Sequence, residues 1–234
     1  MKAIYKRELR AYFTGPIGYI FIAIFIFLCN GSFYLSNLQA YRSDFSSVFM
    51  LMTLILIVLI PLMTMRLWSE EKRQKTDQLL LTAPVSTTGV VLGKFFSALT
   101  VFLMGLALTL IYPILVAWRG VPETGKIVGN YVAIILLAAA YIAISLFISS
   151  LTKSQLVSAI CSILALSLFF FMDMLSGVTS SAFLASVFDF LSLISRYNNL
   201  YRGIFSLSDI VYFISLSVIF VFLTSRVIEK QRWS

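Results

Sequence analysis

Apolar residues along this chain gather into long runs separated by short polar segments, and within each run they occupy every side of a helical projection instead of one stripe. Runs of about 20 such residues are long enough to cross a bilayer as helices. Those that qualify are roughly Pro16 to Tyr34, Ser47 to Leu67, Phe95 to Trp118, Ile127 to Ser149, Gln155 to Leu175 and Leu207 to Val227. A soluble protein with a large core would show amphipathic periods in these stretches, and they lack them. The expected fold class is all-α integral membrane with six transmembrane helices, a single transmembrane domain over residues 1–234. Gly15-Pro16 opens the first helix, and Ser86, Thr87 and Thr88 offer caps before the third. The first run follows a basic start, as in a signal peptide. It continues as YIFIAIFIFLCNGSFYL without a small-x-small cleavage site, so it reads as a retained span.

Three segments between or before the runs are not spans. Residues 2–14 read as a helix lying in the membrane interface: on a helical wheel Tyr5, Leu9, Tyr12 and Phe13 share one arc, and Lys6, Arg7 and Arg10 occupy the neighbouring one. The bland alternative is a disordered basic tail that only sets orientation. Residues 176–206 are too many for a simple loop. Their apolar part, Ala182 to Ile194, is too short to cross, so it is expected to dip into the outer leaflet as a re-entrant or interfacial helix.

The third segment, RLWSEEKRQKTDQLLLTAPVSTTGVVLGK at 66–94, concentrates charge in a chain that is otherwise mostly apolar. SEEKRQKTDQLLL has the makings of a helix. Ser69 can cap it, Glu70 and Glu71 suit the positive end of its dipole, and Pro84 stops it. Span two would leave the membrane through Arg66 and Trp68 and continue into this helix, turn at Thr82, Ala83 and Pro84, and return through Ser86 and Lys94. Leu79, Leu80 and Leu81 then lie beyond the headgroups, where apolar side chains need a partner. Three readings stay open: a solvated loop that fixes topology, an amphipathic helix on lipid, or a docking element for a cytoplasmic protein.

Composition agrees with the membrane reading: 60% of residues are hydrophobic and 12% charged, against about 25% charged in a soluble domain, and the mean hydropathy is +0.96. The net charge is +8. With both ends of the chain on one side, that side holds most of the basic residues, including the 66–94 segment, which places it in the cytoplasm by the positive-inside rule. Such an excess suits an anionic leaflet; charges scattered over separate segments suit nucleic acid poorly. Cys29 and Cys161 stand alone in apolar runs and read as buried structural thiols. The chain has no histidine, which counts against a zinc site and most hydrolases. No HExxH, Ser-His or paired-aspartate arrangement suggests catalysis, and no metal site is expected. Pro61 and Pro113 should kink spans two and three, either as part of a gate or merely shaping the bundle. Asp173 is an acid within span five, a candidate for the pathway or a satisfied helix-end carboxylate. Gly89 and Gly93 form a GxxxG that is either a packing face or chance.

EEKRQKTDQLLLTAPVSTTGVVLGKFFSAL resembles the signature between spans two and three of type-2 ABC export permeases, in the branch of the gliding-motility permease GldF and the NosY-like permeases. KRELRAYFTGPIGYIF resembles that branch's connecting helix, and SDIVYFISLSVIFVFLTSRVIEKQRW its last span and tail. The resemblance implies a permease subunit that dimerises, as a homo- or heterodimer, in the bacterial inner membrane, on cytoplasmic ABC ATPase subunits that carry ATP and magnesium. Export is the implied activity, or mechanical work together with a protein that has a large extracytoplasmic domain. Glu70, Glu71 and Arg73 would lie in the extension of span two. Thr76, Asp77, Leu79, Leu80, Leu81, Thr82, Ala83 and Pro84 would enter the ATPase as a coupling helix, with Ser86 and Lys94 on the return. The family's pathway is lined by spans two and five. GVVLGKF is one residue short of a phosphate-loop spacing, and Phe95 stands where Ser or Thr would hold magnesium. This chain is therefore expected to bind no nucleotide and to have no catalytic site of its own. An ATP-independent channel or carrier is the alternative; it would show ionisable residues deep in the spans and repeated halves.

Overall fold

The computed structural model describes residues 1–39, 46–75, 86–117, 124–178, 187–188, 192–201 and 206–232. It is 93% helical, with no strand among the described residues. The elements are α1 (Lys2–Thr14), α2 (Ile17–Phe33, continued by a π-helical turn, Tyr34–Gln39), α3 (Ser46–Thr64), α4 (Arg66–Gln74), α5 (Thr87–Leu108), α6 (Ile111–Ala117), α7 (Thr124–Leu151), α8 (Gln155–Val178), α9 (Leu193–Tyr201) and α10 (Leu207–Arg232). Six helical stretches are long and apolar enough to cross a membrane: Ile17–Asn37, Val48–Gln74, Thr87–Ala117, Thr124–Leu151, Gln155–Met172 and Leu207–Gln231. Each corresponds to one of the expected runs.

The bundle is organised around α7, which packs against α3, α4, α5, α8, α9 and α10. Its small residues allow this: Ala133, Ala138, Ala140, Ala143 and Ser145 are fully buried, and small side chains let neighbouring helices approach where lipid supplies no hydrophobic drive. The outer helices instead turn whole rows of Leu, Ile, Val and Phe outward, as lipid requires.

Both proline expectations have a local outcome. Pro113 cannot donate to the carbonyl of Thr109, and the helix breaks there into α5 and α6. The Thr109 carbonyl accepts instead from the Tyr112 N–H at 3.0 Å and from the Tyr131 hydroxyl at 2.9 Å. Pro61 lies one turn before the break between α3 and α4 at Met65, while Met65 N–H still donates to the Pro61 carbonyl at 2.8 Å.

Several boundaries depart from expectation. The third membrane helix begins at Thr87 instead of Phe95, about two turns earlier, with Ser86 as its N-cap. Lys94 is consequently a buried residue inside α5 instead of a marker at the membrane surface. The helix expected to start at Ser69 and run to Pro84 starts instead at Arg66 and ends at Gln74, because Lys75 adopts the left-handed conformation, φ 57°. Ser69 caps nothing; it is buried one turn into α4 against Ser149. Most of Ala182 to Ile194 lies outside the described residues. The helix seen in that region, α9, is nine residues long and too short to cross.

Candidate functional site

The charged side chains of α1, α4 and α5 meet in one cluster. On α1 the buried edge is Ile4, Glu8 and Tyr12, one residue per turn. This corrects the expected face: Leu9, Phe13 and Tyr5 are only half-buried, and Glu8 is at the centre of the buried row. Lys6, Arg7 and Arg10 are exposed. Gly93 on α5 lets α1 approach closely, since a Cβ there would stand 3.0 Å from Ile4 Cγ2. Tyr5 and Thr100 share a hydrogen bond of 3.0 Å nearby. The GxxxG pair therefore does not act as one face: Gly93 meets α1, whereas Gly89 N–H donates to the capping Ser86 hydroxyl at 3.3 Å.

Lys94 is the hub. Its ammonium lies 3.3 Å from Glu8 and 2.9 Å from Glu71, donates to the Leu67 carbonyl at 2.6 Å, and sits 4.8 Å from the centre of the Trp68 ring. Arg7 closes the circuit from the outside, 2.5 Å from Glu8 and 2.6 Å from Glu71. Two carboxylates and two cations thus neutralise one another at the junction of three helices, which is what buried charge demands. Burial opposes the ionised form of Glu8, but the neighbouring Lys94 charge and the Arg7 hydrogen bonds outweigh it and hold the carboxyl below its ordinary range.

The same helices grip the break between α3 and α4 through its carbonyls. Tyr12 on α1 donates to Met63 at 3.2 Å, Ser149 on α7 donates to Met65 at 3.0 Å, and Lys94 on α5 donates to Leu67. Ser149 also accepts from the Trp68 N–H at 3.3 Å, filling the role of an N-cap from another helix. Ser69 and Ser149 share a further hydrogen bond, and Lys72 donates to the Ser150 carbonyl. Arg66 reaches the other way, donating to the Ala11 carbonyl at 2.8 Å near the negative end of α1 and stacking over the Tyr12 ring at 5.1 Å. Held from three sides, α4 is bound to α1, α5 and α7 as one unit.

Of the expected residues, Arg7, Tyr12, Glu71 and Lys94 come together here. Glu70 is half-buried beside it and accepts from Gln74 at 3.3 Å, while Arg73 is exposed. Thr76, Asp77, Leu79, Leu80, Leu81, Thr82, Ala83 and Pro84 lie outside the described residues, as does the side chain of Asp173. Glu8, Ser149 and Ser150 were not anticipated. For Glu8 a signal existed in the Ile4-Glu8-Tyr12 row; for the serines none did.

A second unanticipated contact pins α9 to the start of α10. Asp209, 1% exposed, accepts from Arg196 and from Asn199, each at 3.1 Å, and Arg196 lies over the Tyr212 ring. Among the described residues no group of three metal-ligating side chains converges.

No curated protein matches the chain. The model of the family described as ABC-2 family transporter protein matches residues 2–228, from α1 through all six membrane helices and into the last turns of α10. The chain therefore belongs to the ABC-2 family of transporter membrane proteins, as a permease subunit.

Proposed function

We propose that this permease works in an ATP-binding cassette exporter of the GldF and NosY-like branch, coupling ATP hydrolysis on a separate cytoplasmic ATPase subunit to export or to mechanical work across the bacterial inner membrane. In this reading both ends of the chain are cytoplasmic. Residues 69–94 serve as the coupling region, with Thr76 to Pro84 entering the ATPase. Two permease chains, alike or different, form the pathway between them along α3 and α8. ATP and magnesium belong to the ATPase chain.

The observation that carries the reading is the grip on α4. A movement passes between subunits only through contacts that differ in two states. A push delivered beyond Lys75 reaches α4, and α4 cannot move alone, since Lys94, Tyr12 and Ser149 tie it to α5, α1 and α7. The whole membrane bundle therefore feels a displacement of a single short helix.

The test is purification from native membranes in mild detergent, beside a variant carrying Leu80→Asp and Thr82→Arg. The expected result is an ATPase subunit and its activity co-eluting with the wild type and lost with the variant. Absence of any ATPase from intact wild-type protein would overturn the reading.

A further inference from the structure

Beside the ion cluster, a polar cleft of about 560 Å³ lies between the end of α1 and the exposed side of α4. A second, almost wholly apolar groove of about 160 Å³ lies between α2 and α3, lined by Ile17, Ile20, Leu62 and Met65 among others. Their linings are neighbours along the chain on both walls, Gly15 and Ile17 flanking Pro16 on one and Arg66 following Met65 on the other. The groove then follows the first turns of α2 into the membrane. A polar chamber beside an apolar groove between two spans, with walls contiguous in the chain, has the shape of an amphiphile.

Charge narrows the occupant. Of the charged side chains lining the polar part, Arg7, Glu8 and Glu71 are already neutralised with Lys94 behind them. Arg66 and Glu70 are not: among the described residues neither has an ion-pair partner, although they stand one turn apart on α4. Arg66 is turned toward Ala11 and spends one N–H there, leaving others of its five donors for a phosphate. Glu70 accepts only from a neutral amide. The cleft thus offers one cation and one anion side by side.

We propose that this site holds a zwitterionic phospholipid with a primary-ammonium headgroup, its phosphate on Arg66, its ammonium on Glu70 and an acyl chain in the groove between α2 and α3. A choline headgroup fills the same space but has no N–H to donate to Glu70. A purely anionic headgroup leaves Glu70 unanswered beside two further carboxylates.

The experiment is native mass spectrometry of the protein released from nanodiscs of equal parts phosphatidylethanolamine, phosphatidylcholine and phosphatidylglycerol. The wild type should retain the ethanolamine lipid over the choline lipid by roughly tenfold, the value of a charge-assisted hydrogen bond at the low end of its range. Glu70→Gln should bring the two lipids to near equality, and Leu62→Trp or Ile20→Trp, filling the groove from either wall, should lower retention of every headgroup. Equal retention of the three lipids by the wild type, or a preference that survives Glu70→Gln, overturns the proposal. The wild-type competition requires no variant to fold. Nor does the measurement involve an ATPase, so its failure would leave the proposed function standing.

Discussion

Lys94 places an ammonium group, 1% exposed at its side chain, among two carboxylates and a backbone carbonyl. Such a group is tolerated because every charge around it is answered, and removing one partner strands the others. Lys94→Met leaves Glu8 and Glu71 to share Arg7 as their one cation in the cluster, one carboxylate charge short of compensation, at a cost of up to about 3–5 kcal/mol. Thermal unfolding in detergent should show a correspondingly lower midpoint, and Lys94→Arg should recover part of the loss. Glu8 adds a pH dependence. Its carboxyl titrates lower in the folded protein than in the unfolded chain, so its contribution is complete above about pH 4.3, the unfolded value, and disappears as pH falls through the folded one. The wild type should therefore be more stable than Glu8→Gln at pH 7, and the gap should close under acid. A gap that persists unchanged at pH 3 would count against the ion-pair account.

At the scale of elements, the position of α1 depends on Gly93. With the ideal Cβ only 3.0 Å from Ile4, a branched side chain cannot be admitted without pushing α1 away from α5. Gly93→Val should separate Tyr5 from Thr100, whose hydroxyl oxygens lie 3.0 Å apart. With Cys29 and Cys161 replaced, cysteines introduced as Tyr5→Cys and Thr100→Cys should be bridged by a bifunctional thiol reagent long enough to replace the tyrosine ring, readily when Gly93 is present and poorly in the Gly93→Val background. Equal cross-linking in both would mean that α1 does not rely on the glycine.

For the whole molecule the question is how copies meet. Along α3, Met50, Leu54 and Val58 form a straight exposed row at four-residue spacing, each 41% to 44% exposed. If two chains pair along α3 and α8 as proposed, Leu54→Cys should cross-link to its counterpart in membranes, and Val211→Cys on the exposed face of α10 should not. The reverse pattern would move the interface to the last span.

Six spans and the all-helical class were legible in the sequence because bilayer crossing is a property of consecutive residues: length and apolarity suffice, whatever the neighbours. The family resemblance was legible for a related reason, since the segment around Glu70 to Lys94 and both ends of the match are contiguous strings. What α4 does with its neighbours was not. Ser69 is a good cap by its local sequence, yet in the fold its hydroxyl finds Ser149 on a helix some 80 residues away in sequence. Glu8 had no assigned role until the packing set Lys94 and Arg7 around it. Lys94 looked like a surface anchor until α5 began about two turns early and carried it inside. Hydrogen bonds and ion pairs between helices are decided by which residues the packing brings within about 3 Å. That distance is set by the tertiary arrangement around α7 and not by any single stretch of chain.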